Sequence, residues 1–252
     1  MKISLVGSGN VAWHLGSRLA AVGHEIKQVA ARNEEKAAEL VSKTGALFTP
    51  VEDARFDEED VVLVCVSDRA LGPQWRLNAA PPVTVAHTAG AVPAAWAGSP
   101  HGRNAAFYPF SSFTRGMPLT DPHFPIFITP SDPLSRERLH ALGRALTGNV
   151  HEATDDERAR LHLAGVFVNN FVTYLLKIGF SLPPATWNRE AVFRPILTET
   201  IEKALRLGPE KALTGPAIRG DYPTLQTHLH MLKNMPQWQV LYQLISELIA
   251  GE

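Results

Sequence analysis

Cysteine is nearly missing from this chain: Cys65 is the only one in 252 residues. It lies inside the apolar run Val61 to Val66, so neither a disulfide framework nor a cysteine-rich metal site is available, and a reducing cytoplasm fits. An excess of one charge is also missing, with 24 Lys+Arg against 25 Asp+Glu and a formal net charge of -1. That balance removes the simplest route to nucleic acid, a strongly basic surface. Long apolar runs are short as well. Ile3-Ser4-Leu5-Val6 stops at Gly7, too soon for a secretory signal, and no window approaches the roughly 20 apolar residues that span a bilayer. There is no internal repeat, heptad run or low-complexity tract. With no HExxH motif, and with His228 and His230 two apart rather than four, no metal is expected. What is left is a soluble globular protein, long for one core and comfortable for two domains.

The first half alternates short β-branched runs with helical stretches. Strands are expected at 3–6, 26–31, 46–48, 60–66, 83–87, 105–108 and 125–129, and helices at 11–22, 34–43 and 134–146. Continuous Val/Leu runs fit strands covered on both faces, and the alternation argues for a parallel sheet wound with helices. Of the 19 prolines, 10 fall between Pro81 and Pro133, which predicts irregular loops there. From Thr154 onward only helical patterns are left, at 155–180, 187–207, 223–234 and 237–250. The expected organisation is an α/β domain over 1–150 and an all-helical domain over 151–252.

Directly after the first strand stands Gly7-Ser8-Gly9-Asn10-Val11-Ala12, of the form GxGxxA. Gly7 permits a tight turn, Gly9 lets backbone approach a pyrophosphate, and Ala12 allows close helix packing, while the helix N-terminus offers free N–H groups to an anion. Residues 7 to 11 are therefore the expected dinucleotide cradle. The second strand ends in Ala30-Ala31-Arg32-Asn33 without the acid that would bind a ribose 2′-hydroxyl. Arg32 can fork onto a 2′-phosphate and Asn33 can add a neutral hydrogen bond, so NADP is favoured over NAD. Ser67 and Asp68 follow the strand 60–66, where an open sheet binds its ligand; Ser67 has a helix-cap role as the alternative.

Three segments compete for the chemistry. His87 and Thr88 open His87-Thr88-Ala89-Gly90 at a sheet end facing the crevice, His87 as a catalytic group or as a histidine tied into its loop. On the helix around residue 165, His162, Val166, Asn169, Asn170, Thr173 and Lys177 share one quarter of the circumference at about 100° per residue. The other sides are Leu, Val, Phe and Ala, so the helix is expected to be buried and its polar stripe either to serve chemistry or to fasten the helix. In Thr214-Gly215-Pro216-Ala217-Ile218-Arg219-Gly220-Asp221, Arg219 is placed to clamp a substrate carboxylate, while Asp221 is better suited to capping the next helix.

GSGNVA at 7–12, VSD at 66–68, HTAG at 87–90, YPF at 108–110, LHLAGVFVNNF at 161–171 and LTGPAIRGD at 213–221, followed by His228, together resemble a bacterial two-domain family. Its members join a Rossmann-like domain to a C-terminal helical domain of unknown function and are described as candidate NADP-dependent oxidoreductases. The arrangement is more distantly similar to ketopantoate reductase, 6-phosphogluconate dehydrogenase, pyrroline-5-carboxylate reductase and deazaflavin-dependent NADP reductase. Two departures stand out: His162 occupies the segment where ketopantoate reductase and 6-phosphogluconate dehydrogenase carry a lysine, and Ala89 stands where family members often have serine.

The resulting expectation is an NADP-dependent reductase of a small oxo acid or imine, with ketopantoate as the substrate suggested by analogy. His162 donates the proton, Asn170 holds the developing alkoxide with Asn169 beside it, and Arg219 binds a carboxylate. The rival is a nucleotide-binding sensor or assembly protein that keeps the cradle without turnover. Trp187, Phe193, Trp238, Leu241 and Ile245 give the small helical domain more apolar surface than it can hide, so a homodimer is expected, with neither nucleic acid nor membrane as partner.

Overall fold

All seven expected strands form, within one eight-stranded sheet, in the computed structural model, which describes residues 1–251. The order along the chain is β1 (Lys2–Val6), α1 (Asn10–Ala21), β2 (Glu25–Ala31), α2 (Glu34–Thr44), β3 (Leu47–Pro50), β4 (Arg55–Phe56) and β5 (Val61–Val64). Then come β6 (Asn78–Ala79), β7 (Thr84–His87), β8 (Asn104–Pro109), β9 (Ile126–Thr129), α3 (Pro133–Leu146) and β10 (Val150–Glu152). The large sheet runs β10-β9-β8-β7-β5-β1-β2-β3, and β4 pairs with β6 in a separate small ladder. Every neighbouring pair is parallel except β8 with β9. This is the Rossmann-like sheet, and its winding reverses between β1 and β5, where the carboxyl ends of the two strands leave a crevice.

Alternation along the strands supplies both faces of the core. Ile3 and Leu5 pack with Leu15, Leu19, Leu40 and Leu139, whereas Val6, Val62 and Val64 pack with Phe56, Val83 and Val85 on the other face. All these side chains are buried. The strand β5, Val61-Val62-Leu63-Val64, is buried at every position, as a central parallel strand must be.

Beyond β10 the chain is helical: α4 (Asp155–Gly165), a π-helical turn (Val166–Phe171), α5 (Val172–Ser181), α6 (Arg189–Leu207), α7 (Pro209–Ala212), α8 (Tyr222–Met231) and α9 (Pro236–Ala250). Thr154 starts α4 with a reciprocal cap, its hydroxyl accepting from the Glu157 N–H while the Glu157 carboxylate accepts from Thr154. Two compact units result, Met1–Asn170 and Phe171–Glu252, so the division falls 20 residues beyond the one expected from strand loss at 150. Arg158 explains the difference. Its fully buried guanidinium donates to the Val92 carbonyl and the Thr129 hydroxyl and pairs with Asp155, which in turn accepts from the Ala94 N–H. The first turns of α4 are thereby tied into the first unit.

The helix from Asp155 to Ser181 departs from expectation in burial. Among its described residues only Arg158 is buried, and by length and composition the helix is long and apolar enough to cross a membrane, contrary to the sequence expectation. The second unit shows the same openness: among its described residues only Ala217 and Leu232 are buried. A cavity of about 340 Å³ lies within that unit, with Leu175, Ile178, Trp238, Leu241 and Ile245 on its wall. Apolar periodicity correctly placed these helices but says nothing about whether the covering surface belongs to the same chain.

Candidate active site

The glycine loop forms where β1 leaves the sheet. Gly7 has φ of +107°, a conformation that favours glycine, and a Cβ there would stand 2.5 Å from the Cys65 carbonyl oxygen. Gly9 has an ordinary φ of -76°, and a Cβ there would meet nothing within 4 Å. Neither strain nor packing within the chain requires glycine at 9; an open approach to the backbone is what the residue leaves. Gly9 also caps α1 without a side-chain hydrogen bond, so the first N–H groups of that helix have no side-chain cap. This arrangement fits a dinucleotide pyrophosphate.

The neighbouring expected cofactor residues divide by role. Asn10 Nδ2 donates to the Phe113 carbonyl at 2.9 Å, tying the helix start to the segment that follows β8. Arg32 is exposed just past β2, whereas Asn33 caps α2, its Oδ1 accepting from the Lys36 N–H at 2.8 Å. Ser67 precedes a short 3-10 turn over Asp68–Ala70 but makes no side-chain capping bond, so the cap alternative fails for it. Thr88 is nearly buried beside β5, and burial pushes the neighbouring Cys65 thiol up to about 12.

His87 is corrected by its surroundings. The ring is fully buried, Nε2 lies 3.0 Å from the Pro93 carbonyl, and Nδ1 accepts from the Ala89 N–H at 3.2 Å. One nitrogen donating and one accepting defines a neutral imidazole. Burial pushes its pKa down to about 4, despite the opposing bond to Pro93. With both nitrogens engaged by backbone, the ring shapes its loop and has nothing to offer a substrate.

A second cavity, about 330 Å³, lies wholly within the first unit. Val11, the second residue of α1, and Thr88 stand on its wall together with Tyr108, Ser111 and Ser112. His162, Asn169 and Asn170 supply a polar side with Val166 between them, so four members of the expected stripe do converge. The π-helical turn spans Asn169 and Asn170 and also brings Val168 onto the lining, a broader face than a regular helix presents. Two close approaches seat this helix. A Cβ on Gly90 would come 2.6 Å from His162 Nδ1, and one on Gly165 would come 2.7 Å from the Phe110 ring.

Tyr108, at a sheet end expected to face the crevice, is the residue to which pattern reasoning gave no part in the chemistry. Its hydroxyl lies 3.2 Å from His162 Nδ1, with the two rings edge to face. Burial, helped by the Asp68 carboxylate, pushes the phenol up to about 12, so it keeps its proton at neutral pH. A protonated phenol can donate to Nδ1 or accept from Nδ1–H, so the contact holds the His162 ring in place in either form. The available signal was polar and aromatic residues following an apolar strand, in Tyr108-Pro109-Phe110-Ser111-Ser112.

Arg219 belongs to the second unit, where it is exposed ahead of α8. Asp221 caps that helix, accepting from the Thr224 N–H and hydroxyl, which holds its carboxyl below the usual range. His228 is bound through Nδ1 to the Tyr242 hydroxyl at 2.7 Å, joining α8 to α9. Among the described residues no group of three or more His, Cys, Asp or Glu comes together as a metal site.

Residues 124–249 match the family model described as a domain of unknown function, DUF2520, and residues 2–76 match that of NADP oxidoreductase, coenzyme F420-dependent. A candidate NADP oxidoreductase from Bacteroides fragilis is 30% identical, with a TM-score of 0.88 over 100% of this chain and 98% of that one. The chain belongs to this DUF2520 family of NADP oxidoreductases. A Thermotoga maritima protein shares the fold of this family member at 18% identity, with a TM-score of 0.66 over 99% of this chain and 97% of that one. So does an imine reductase from Myxococcus stipitatus in complex with NADP+, at 14% identity and a TM-score of 0.62, over 100% and 92% of the two chains. No curated protein matches the chain.

Proposed function

We propose that the protein is an NADPH-dependent reductase of a small oxo acid or imine, and that the 330 Å³ cavity of the first unit receives the group to be reduced. One observation carries the reading: a single cavity extends from Val11, at the glycine cradle, to the Tyr108–His162 pair. The open Gly9 backbone and uncapped α1 start support a pyrophosphate, and the absence of an acid at the end of β2 supports NADP over NAD.

Bound NADPH would supply the hydride. Tyr108 holds the His162 ring through Nδ1, and the imidazolium form of His162 gives its Nε2 proton to the oxygen or nitrogen that gains charge, leaving a neutral ring. Asn169 and Asn170 offer amide donors to the same atom, and Ser111 and Ser112 offer hydroxyls to the rest of a small polar substrate. A positioned proton donor contributes about 10² to 10⁴ in rate. The histidine thus takes the part that lysine plays in the distantly similar reductases. His87 has no part in this step, and Arg219 stays assigned to a substrate carboxylate on its chemistry alone.

The second unit's uncovered apolar helices support a two-fold homodimer as the working form, in the reducing cytoplasm that suits one buried thiol. The test of function is consumption of NADPH with a panel of 2-oxo acids and cyclic imines. Turnover with a member of either class is expected. Tight NADPH binding with no turnover across both classes would favour the rival, a sensor that keeps the cradle alone.

A further inference from the structure

The segment after β8 crosses the glycine loop and is held there by three side chains. Asn10 reaches the Phe113 carbonyl, and His14 Nε2 lies 2.9 Å from the Thr114 carbonyl. The third contact goes further: Arg115 Nη2 donates to the Ser8 carbonyl at 2.7 Å, and Nη1 donates to the Lys36 carbonyl at 3.1 Å. Ser8 is the centre of the glycine loop, and Lys36 lies in the first turn of α2, its own N–H capped by Asn33. The guanidinium therefore bridges the β1–α1 loop and the start of α2. In a dinucleotide fold these are the two places between which the adenosine ribose is held, with its 2′ position toward the end of β2.

We propose that Arg115 is a second guanidinium for the 2′-phosphate of NADP, acting with Arg32, and so a determinant of cofactor specificity. The assignment rests on the NADP reading of the cradle. Its anchors are neutral carbonyls, and the carboxylate of Glu39, half exposed, stands 4.0 Å from Nε. The charge is thus fixed in place, with one long ion pair to the half-exposed Glu39 beside it. Two of its five N–H donors are used by the carbonyls, which orients the fork and leaves donors for phosphate oxygens. Strapping alone does not call for a cation here, since Asn10 and His14 already hold the same segment.

The test is calorimetric binding of 2′,5′-ADP and 5′-AMP, which differ only in the 2′-phosphate, to the full-length protein and to Arg115→Ala and Arg115→Lys. Arg115→Ala should weaken 2′,5′-ADP about tenfold or more and leave 5′-AMP within about twofold, as expected for a charge-assisted contact. Arg115→Lys should recover part of the loss, because charge returns without the fork. Equal weakening of both ligands would reduce Arg115 to a strap and overturn the proposal, as would no change in either. Melting temperatures of the variants separate misfolding from lost binding, and Arg115→Lys carries the test if the alanine variant fails to fold. If the unmodified protein binds 5′-AMP as tightly as 2′,5′-ADP, the NADP reading itself fails, and Arg115 with it.

Discussion

The two units solve the same problem differently. In Met1–Asn170 the chain covers both faces of its sheet itself, with Phe56, Phe107, Leu63 and Ile128 fully buried. In Phe171–Glu252 the helices are equally regular, yet Trp187, Ile196, Leu205, Tyr222, Val240 and Leu248 are exposed. Secondary structure is regular in both, whereas an extensive buried core is found in one. A helical unit with two buried residues among those described gains little from its own core to set against the conformational entropy of ordering its chain. The first unit carries its core within itself.

The sharpest way to break that contrast is to charge the open faces. Leu244 and Leu248 are 52% and 65% exposed in one chain. Fully burying a leucine is worth about 1.5 to 3 kcal/mol, and an aspartate in its place adds a desolvation cost. Leu244→Asp/Leu248→Asp is expected to convert a dimer into a monomer by light scattering and to lower the melting temperature of the second unit far more than that of the first. A monomeric mass for the unmodified protein would remove the second copy as the covering surface.

Within the first unit, chemistry and stability should separate. His162→Ala and Asn170→Ala are expected to lower kcat by about 10² to 10⁴ while leaving cofactor affinity and melting temperature nearly unchanged. If instead each strands a buried partner, the cost would be about 1 to 3 kcal/mol in urea denaturation with the activity of the folded fraction intact, and the stripe would be a fastening.

The smallest effect is a slope. His87 is held neutral in the fold with a pKa near 4, whereas the unfolded chain takes up its proton near 6.5. Stability contributed by the neutral ring is full above pH 6.5 and is lost as pH falls toward 4, at most about 3 kcal/mol in total. Denaturation curves of His87→Gln should be flatter across that window than those of the unmodified protein. Parallel curves would mean that another group sets the acid limb.

Much of the first unit was legible because its determinants are local. Val61-Val62-Leu63-Val64 reads as a covered strand, and Gly7 and Gly9 bracket a turn whatever lies elsewhere. The helix stripe was legible too, because periodicity groups His162 with Asn169 and Asn170. What escaped depends on distant partners. Tyr108 meets His162 across 54 residues, Arg115 meets Ser8 across 107, and β10 forms only because β9 offers it an edge. For His87 the catalytic and the loop-tied roles both stayed open, because residue type and sheet-end position do not reveal a ring turned into its own loop. Burial of the Asp155–Ser181 helix was misjudged for a different reason, since an apolar face announces that something covers it without saying what.

Cys65 has a practical consequence. Its carbonyl stands where a side chain at Gly7 would fall, and burial pushes its sulfhydryl up to about 12. With ionisation raised by burial, the thiolate is scarce at neutral pH and alkylating reagents are expected to act slowly on the folded protein. Modification at this single sulfur therefore becomes a stopwatch for the parting of β5 from its neighbours. Slower alkylation with a dinucleotide present would register occupancy of the cradle from the inside, without any turnover being needed.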